Sequence, residues 1–279
     1  IAGGNQNGVD GNVGVGYKAL LNIRGDYSVA IGYEAGDHAS GSYNTFVGGY
    51  AGQGGTTSAP YSSGQQNTSV GYQALKAFTT GGQNIAIGHQ ASMGVSTGAK
   101  NVVIGRSSFS SATTTSNVVL IGDEAGKAIN STDADGTVAI GYQAGDAITS
   151  GQYNTAIGYQ SLSAEDDGDG NTAVGYKALK AQTGTSGTVG NTAVGLQAGT
   201  AVTTGTRTTL MGYQAGLALT APYANVAIGY KAMGEGTTSS HTVAIGQNAF
   251  LKISTDGNAQ RNVAIGSSAG EQMTNGMRA

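Results

Sequence analysis

A nine-residue motif recurs fifteen times along this chain and constrains its fold more than any other feature. The cleanest copy is residues 171–179, NTAVGYKAL. Eight of the fourteen intervals between the central glycines are 17 residues long, and the others are 16 to 23 residues. A short period that spans a whole chain predicts stacked structural repeats rather than a globular enzyme core. The central glycines are Gly16, Gly32, Gly48, Gly71, Gly88, Gly105, Gly122, Gly141, Gly158, Gly175, Gly195, Gly212, Gly229, Gly246 and Gly266.

The composition excludes several classes of function. Charged residues make up 10% of the chain and the net charge is −3, so no basic patch is available to neutralise nucleic-acid phosphates. The chain has no cysteine, which excludes disulfides and thiolate metal sites. No apolar run approaches the roughly 18 residues that a membrane helix needs. We therefore expect no nucleic-acid partner, no membrane insertion, and no cofactor or bound metal.

Positions −1 and −3, counted from the central glycine as position 0, predict a β-strand in every copy. Position −1 is always apolar, and position −3 is always Val, Ile or Thr. β-Branched residues two positions apart lie on one face of a strand and favour extended backbone. The Asn and Gly of the motif disfavour a helix. Representatives of position −1 are Ile140, Ile157 and Val174.

Position −2 is Ala in nine copies, among them Ala139, Ala156 and Ala173. These residues lie on the opposite strand face from position −1. A solvent-facing position would vary among polar residues, so a small apolar one indicates a second buried contact where backbones approach closely. We interpret the Ala face as the one that meets another chain. The alternative is a tight fold-back within the same chain.

Two further positions predict structural columns, that is, equivalent residues of successive coils stacked on one another. Position −4 is Asn in ten copies, including Asn154, Asn171 and Asn191, and stacked Asn amides can hydrogen-bond up and down such a column. The glycine at position 0 is expected to supply a backbone conformation or a close approach that a Cβ atom would forbid. Representatives are Gly141, Gly158 and Gly175.

The predicted fold is all-β: a parallel β-solenoid of about 15 coils with a period of about 17 residues. Each coil is expected to hold two short strands and two turns, and residues 1–279 to form one elongated domain with a non-repeat tail at 271–279. Such a coil encloses a thin core that buries little apolar area per ordered residue. We therefore expect association of identical chains, with three-fold symmetry.

Residues 242–246 (TVAIG) and 262–266 (NVAIG) resemble the head repeat of trimeric autotransporter adhesins of the YadA type. The longer phrase at 141–145 (GYQAG), followed by a Thr/Ser/Gly stretch, also resembles repeats of bacteriophage tail-fibre proteins. The first resemblance implies a left-handed, trimeric β-roll on a bacterial surface that binds host matrix or cells. The repeat of that family is shorter, so a turn or an outer strand must be longer here.

The candidate receptor contacts are a tyrosine column and one loop. Position +1 is Tyr in eight copies, including Tyr142, Tyr159 and Tyr176. An exposed tyrosine ridge could pack on sugars, and the structural alternative is that the rings fill a groove between protomers. The longest insertion, residues 52–66, contains Pro60 and Tyr61 and is the first candidate for receptor binding, because insertions in repeats fall on surface loops.

These features predict a non-enzymatic, extracellular fibre segment that attaches to a cell-surface receptor such as a polysaccharide, as in a phage tail fibre within the virion. The head of a bacterial surface adhesin is the alternative. An ice-binding solenoid and a polysaccharide depolymerase are further alternatives. The acidic run at residues 165–170 (EDDGDG) lacks the complete twelve-residue Ca²⁺ loop and is interpreted as a solvated turn. The GSSAG sequence at 266–270 matches a hydrolase nucleophile motif but is only the fifteenth repeat.

Overall fold

The computed structural model describes residues 9–58, 60–184, 187–252 and 260–273. It is a parallel β-solenoid in which almost all regular structure is strand. The chain divides into two compact units, residues 1–137 and 138–279, which are described separately below. The prediction of one continuous domain over 1–279 stays a prediction, and residues 274–279 of the predicted tail lie outside the described part of the chain.

The first unit contains seven strands of three residues, each formed by positions −3 to −1 of a motif. Successive strands pair in parallel with equivalent motif residues opposite each other, so that Val13 lies beside Val29 and Val15 beside Ile31. The 3-10 turn Thr132–Ala134 closes this unit. The strands are β1 (Val13–Val15), β2 (Val29–Ile31), β3 (Thr45–Val47), β4 (Thr68–Val70), β5 (Ile85–Ile87), β6 (Val102–Ile104) and β7 (Val119–Ile121).

The second unit repeats this arrangement with eight motif strands. They pair in parallel and in register, as in Thr155 beside Thr172 and Thr172 beside Thr192. They are β8 (Val138–Ile140), β9 (Thr155–Ile157), β11 (Thr172–Val174), β13 (Thr192–Val194), β14 (Thr209–Met211), β15 (Val226–Ile228), β16 (Val243–Ile245) and β17 (Val263–Ile265).

Most coils contain one strand rather than the two that we predicted. Within the described residues, regular pairing outside the motif strands is limited to β10 (Gly168–Asp169) beside β12 (Gly187–Thr188) and to isolated bridges. The rest of each coil is a series of turns. Motif positions −5, +2 and +4 take positive φ angles in every coil where they are described, even where they are not glycine: Tyr153, Lys177 and Leu179 have φ of 55°, 55° and 47°. Left-handed residues at fixed places bend the chain back on itself without a second strand.

The Ala column faces the interior of its own chain, so the interpretation of this face as an intermolecular contact was wrong and the fold-back alternative is correct. Ala139, Ala156 and Ala173 are fully buried in the single chain. The middle residue of every motif strand is buried, whereas its two neighbours are exposed or half-buried. The copies with Phe46, Leu120 or Leu210 at this position bury the larger side chain in the same way.

The Asn column forms hydrogen-bonded ladders within each unit, chiefly through side chain to backbone bonds, and Val118 ends the ladder of the first unit. The backbone N–H of Asn171 donates to Oδ1 of Asn154 at 2.9 Å, and that of Asn191 to Oδ1 of Asn171 at 3.1 Å. The side-chain amide of Asn154 donates to the Gly168 carbonyl at 2.8 Å. The predicted ladder is confirmed, and it supplies partners to backbone groups that would otherwise be buried without them.

The central glycines carry the conformation that the sequence predicted. Their φ angles lie between 125° and 147° in all fifteen copies, a region that residues with a Cβ rarely adopt. The next coil also passes too close for a side chain. A Cβ atom on Gly158 would overlap the Gly175 carbonyl oxygen, and one on Gly175 would overlap that of Gly195.

Candidate functional site

The outward face of the motif strands is apolar in both units. It consists of positions −3 and −1, which we call the outer face, and the opposite side with position −2 is the inner face. Exposed members range from Val70 and Ile87 at 36% to Ile265 at 68%. Ile140, Ile157 and Val174 are half-buried at the same position. Large in-register apolar side chains on a solvent-facing sheet are unusual for a monomer and mark an interaction surface.

Threonines form an unbroken rank within this outer face in the second unit. Strands β9, β11, β13 and β14 each begin with Thr, and the parallel register places the four side by side at the strand spacing of about 4.8 Å. A row of branched apolar residues and one Met runs beside them. The residues are Thr155, Thr172, Thr192 and Thr209, with Ile157, Val174, Val194 and Met211.

Tyrosines stack along the border of the outer face. Tyr142, Tyr159 and Tyr176 form a three-ring ladder with centroids 5.2 and 5.3 Å apart and interplanar angles of 17° and 16°. Each ring is 40–43% exposed. Because neighbouring rings cover each other's faces, such a ladder presents mainly ring edges and hydroxyls. The structure brings these three predicted residues together, but it leaves their faces largely unavailable for packing on a sugar ring.

In the first unit, a second ring ladder continues across a position where the motif tyrosine is missing. Position +1 is Gly49 in the third motif, and Tyr50 from the neighbouring position places its ring between those of Tyr33 and Tyr72, at 5.3 and 5.8 Å. The stack continues to His89. A ring from a different position thus keeps the stack from Tyr17 to His89 uninterrupted.

The loop at residues 56–61 leaves the coil as a separate excursion, with residue 59 outside the described part. Its base is closed by the Gly55 N–H, which donates to the Ser62 hydroxyl at 3.0 Å. Pro60 is exposed, and its carbonyl accepts from the Thr56 hydroxyl at 3.3 Å. The Tyr61 ring lies 5.1 Å from the Arg24 guanidinium, a cation–π contact. Of the two predicted contacts, Pro60 is available at the surface and Tyr61 is partly covered.

The acidic run contains one carboxylate that faces inward. Glu165 is fully buried, at a position (+7) where other coils place Ile148, Val202 or Leu219. Its Oε1 accepts from the Gly168 N–H at 2.8 Å and from the Asp166 N–H at 3.1 Å. Burial raises the pKa of Glu165 above its usual range, and these backbone bonds oppose the shift.

The neighbouring carboxylates belong to the same turn. One oxygen from each of Glu165, Asp166 and Asp167 falls within a span of 4.8 Å. The hydrogen bond with Asp166, followed by burial, raises the pKa of Asp167. Asp169 accepts from the Gln152 N–H at 2.8 Å and so joins two coils. This run therefore caps a turn, as the sequence indicated, and the inward position of Glu165 is what the sequence did not reveal.

Comparisons of the chain with protein-family models, with curated proteins and with solved structures found no match. Within the described residues, the structure has no helix that is long and apolar enough to cross a membrane.

Proposed function

We propose that this chain is a segment of a trimeric extracellular fibre that attaches to a cell surface, as in a phage tail fibre. The observation that carries the proposal is the outer face: a set of large apolar side chains directed away from a coil whose own interior is already filled by the inner-face alanines and by larger residues such as Leu179. Covering such a face removes apolar area from water at about 25 cal/mol per Å².

Two further copies of the chain are the proposed cover. Any partner that packs along the outer face must match its coil-by-coil spacing, and an identical chain has that spacing by construction. The strands β9 and β11 offer Val, Ile and Thr but no charge, which suits an interface core between identical chains. The three-fold arrangement and the left-handed coil follow from the resemblance to adhesin heads. The tyrosine ladders then border the grooves between protomers.

Solution mass tests this assembly. Light scattering on the full chain should give three times 27.6 kDa together with a β-type circular dichroism spectrum. Replacing Ile157 and Val174 with Asp should reduce the mass and retain the β spectrum, because the strand interior is untouched. Thr183→Asp, at an exposed position away from the strands, is the matched control and should leave the trimer intact. A monomeric or dimeric wild-type chain would contradict the proposal.

Ice binding is a second candidate, favoured by the threonine rank of the second unit. The four Thr at position −3 lie in register on one strand face, whereas the loop threonines fall at irregular offsets from the motif. The two candidates require opposite states of the same face, since a covered face cannot contact ice. Thermal hysteresis of the purified chain, lost on Thr172→Tyr, would support ice binding. A trimer without hysteresis would exclude it.

A further inference from the structure

A cleft of about 310 Å³ lies in the first unit, directly after the 56–61 loop. This volume is at the lower end of the range for small-molecule sites and suits one or two sugar rings. Three successive coils contribute to it. Its lining includes Ser63, Gln65, Gln66, Thr80, Gln83 and Ala99.

Glycines create the space for this cleft. Gly64 approaches the Gly81 carbonyl so closely that a Cβ atom would overlap it, and Gly82 lies against the Gln65 backbone. The Gln83 N–H donates to the Gln65 carbonyl at 2.8 Å. The floor is thus a backbone surface fixed by the solenoid, and only the side chains at the rim are free to adapt. A rigid floor reduces the entropy that a ligand must overcome on binding.

Gln66 and Gln83 form a polar pair at the rim. Both are exposed, both sit in the left-handed conformation at motif position −5, and the Gln83 amide donates to Oε1 of Gln66 at 3.1 Å. This bond leaves the Gln66 amide N–H groups and the Gln83 carbonyl oxygen directed at solvent. One free donor beside one free acceptor matches the hydrogen-bonding demand of two adjacent hydroxyls on a sugar ring.

An aromatic ring and the absence of charge complete the site. Tyr43 occupies position −5 one coil before Gln66, is 55% exposed, and stacks on Tyr27 with a centroid distance of 5.6 Å. Gln66 is the next residue of the same column, so Tyr43 borders the cleft beside Gln66 without lining it. None of the lining residues is charged. Planar amides and hydroxyls near an aromatic ring are suited to an uncharged carbohydrate.

We propose that this cleft binds a pyranose of an uncharged glycan, with vicinal hydroxyls on the Gln66–Gln83 pair and the sugar ring edge beside Tyr43. The inference rests on the proposed function in that it supplies the receptor class for the fibre, and it assigns recognition to the foot of the loop rather than to the tyrosine ladders. The lining offers no charged side chain to pair with an acidic sugar, which favours a neutral one.

The test is binding of the full chain to an array of neutral and acidic oligosaccharides, followed by titration of the strongest neutral ligand. Glycine replacements of Gln66 and Gln83 remove the side chains and suit the left-handed backbone, so the coil should be retained. We expect the double variant to lose at least about tenfold in affinity, near 1.4 kcal/mol. Glycine replacements of Gln197 and Gln214 are the matched control, since this pair has an equivalent amide bond, at 2.8 Å, and left-handed backbone in the second unit.

The outcomes separate this site from the fibre itself. Loss of binding in the cleft variant alone supports the proposal. Three results would contradict the glycan site and leave the fibre proposal intact. They are binding that survives both glycine replacements, binding confined to acidic glycans, and no glycan binding by a chain that is trimeric by mass. A monomeric chain that binds neutral glycans through Gln66 and Gln83 would support the glycan site and contradict the trimeric fibre.

Discussion

The inner and outer faces of the motif strands carry apolar residues of opposite size. Ala173 on the inner face is fully buried, and its neighbours Thr172 and Val174 on the outer face are half-exposed. In most sheets with one wet side, the larger apolar residues face the core and the polar ones face water. Here the strand itself turns mostly small residues inward, and its branched residues at positions −3 and −1 lie on the outer face of the single chain.

Exceptions to the small inner residue show how strictly the interior volume is fixed. Where position −2 is Phe46, position +4 is Gly52, and a Cβ atom there would overlap the Phe46 ring. Leu210 is paired in the same way with Gly216. Where position −2 is Ala173, position +4 is the buried Leu179. In these coils the two positions share one large side chain. In coils where both are small, as at Ala139 and Gly145, the +7 residue Ile148 packs in the space, as expected for a close-packed interior.

The largest expected effect is at the corner where the chain leaves the strand. Gly175→Ala should destabilise the protein by about 3 kcal/mol or more, because φ is 135° and the new Cβ would overlap the Gly195 carbonyl oxygen. Gly170→Ala is the control: its φ is 70° and no atom lies within 4 Å of the added Cβ. That change should cost about 1 kcal/mol. Urea unfolding monitored by circular dichroism measures both, and equal losses would show that coil-to-coil contact is not the constraint.

The next effect tests the difference between the faces directly. Ala173→Leu should cost about 1–3 kcal/mol by overpacking the inner face, whereas Val174→Leu on the outer face should cost less than about 1 kcal/mol in an isolated chain. Adding Leu179→Gly to Ala173→Leu reproduces the Leu210–Gly216 combination and should restore part of the loss. Free energies of unfolding of the three variants decide the matter. A double variant no more stable than Ala173→Leu would contradict the volume exchange.

The repeat predicted the parallel register, the central glycine and the Asn ladder because each needs a particular residue type at a fixed place. Asparagine supplies both a donor and an acceptor, as in the bonds of Asn154 to the Asn171 N–H and the Gly168 carbonyl. Which face of the strand points into the coil was not predictable in this way. A Val-Ala-Ile triplet alternates correctly in either orientation, and the outcome depends on the thickness of the coil, which only the turns determine.

The turns also explain the other features that were not predicted from the sequence. Leu179 and Lys177 adopt left-handed backbone that their side chains do not signal, so no sequence rule distinguishes them from residues of a second strand. The inward Glu165 stood within an acidic run that favours a solvated turn. The cleft beside Gln66 and Gln83 needs three coils in register before it exists, and neither glutamine belongs to a recognisable motif.

A smaller effect concerns Glu165, the carboxylate that is buried inside its coil. Burial raises the pKa of Glu165, so the folded state holds its proton more tightly than the unfolded chain does. Stability should therefore fall as pH rises from the ordinary pKa of a glutamate to the raised one, by at most about 1.4 kcal/mol per pH unit, and be flat above it. Glu165→Ile, which copies Ile148 at the same position, should remove this contribution and gain about 1 kcal/mol at pH 7.

Urea midpoints between pH 4 and 8 for the wild type and the variant provide the measurement. Asp37 and Asp167 also have raised pKa values, so the difference between the two curves is the relevant quantity. Glu165→Gln is the control, since Gln182 fills the equivalent place one coil later. It should flatten the curve with little gain at pH 7. Parallel curves for wild type and Glu165→Ile would show that the buried carboxylate is not titrating in this range.

The smallest effect in an isolated chain is expected at the tyrosine ladder. Tyr159→Ala removes two ring contacts, at 5.2 and 5.3 Å, and should cost about 1 kcal/mol because all three rings are partly exposed. Tyr153→Ala in the same coil is the control, since its ring is 69% exposed and pairs with no aromatic ring among the described residues. A loss of stability in Tyr159→Ala that is well above that value, depends on protein concentration and is absent from Tyr153→Ala places the ladder against another copy of the chain. A small loss that is independent of concentration shows that the ladder is exposed on a single solenoid.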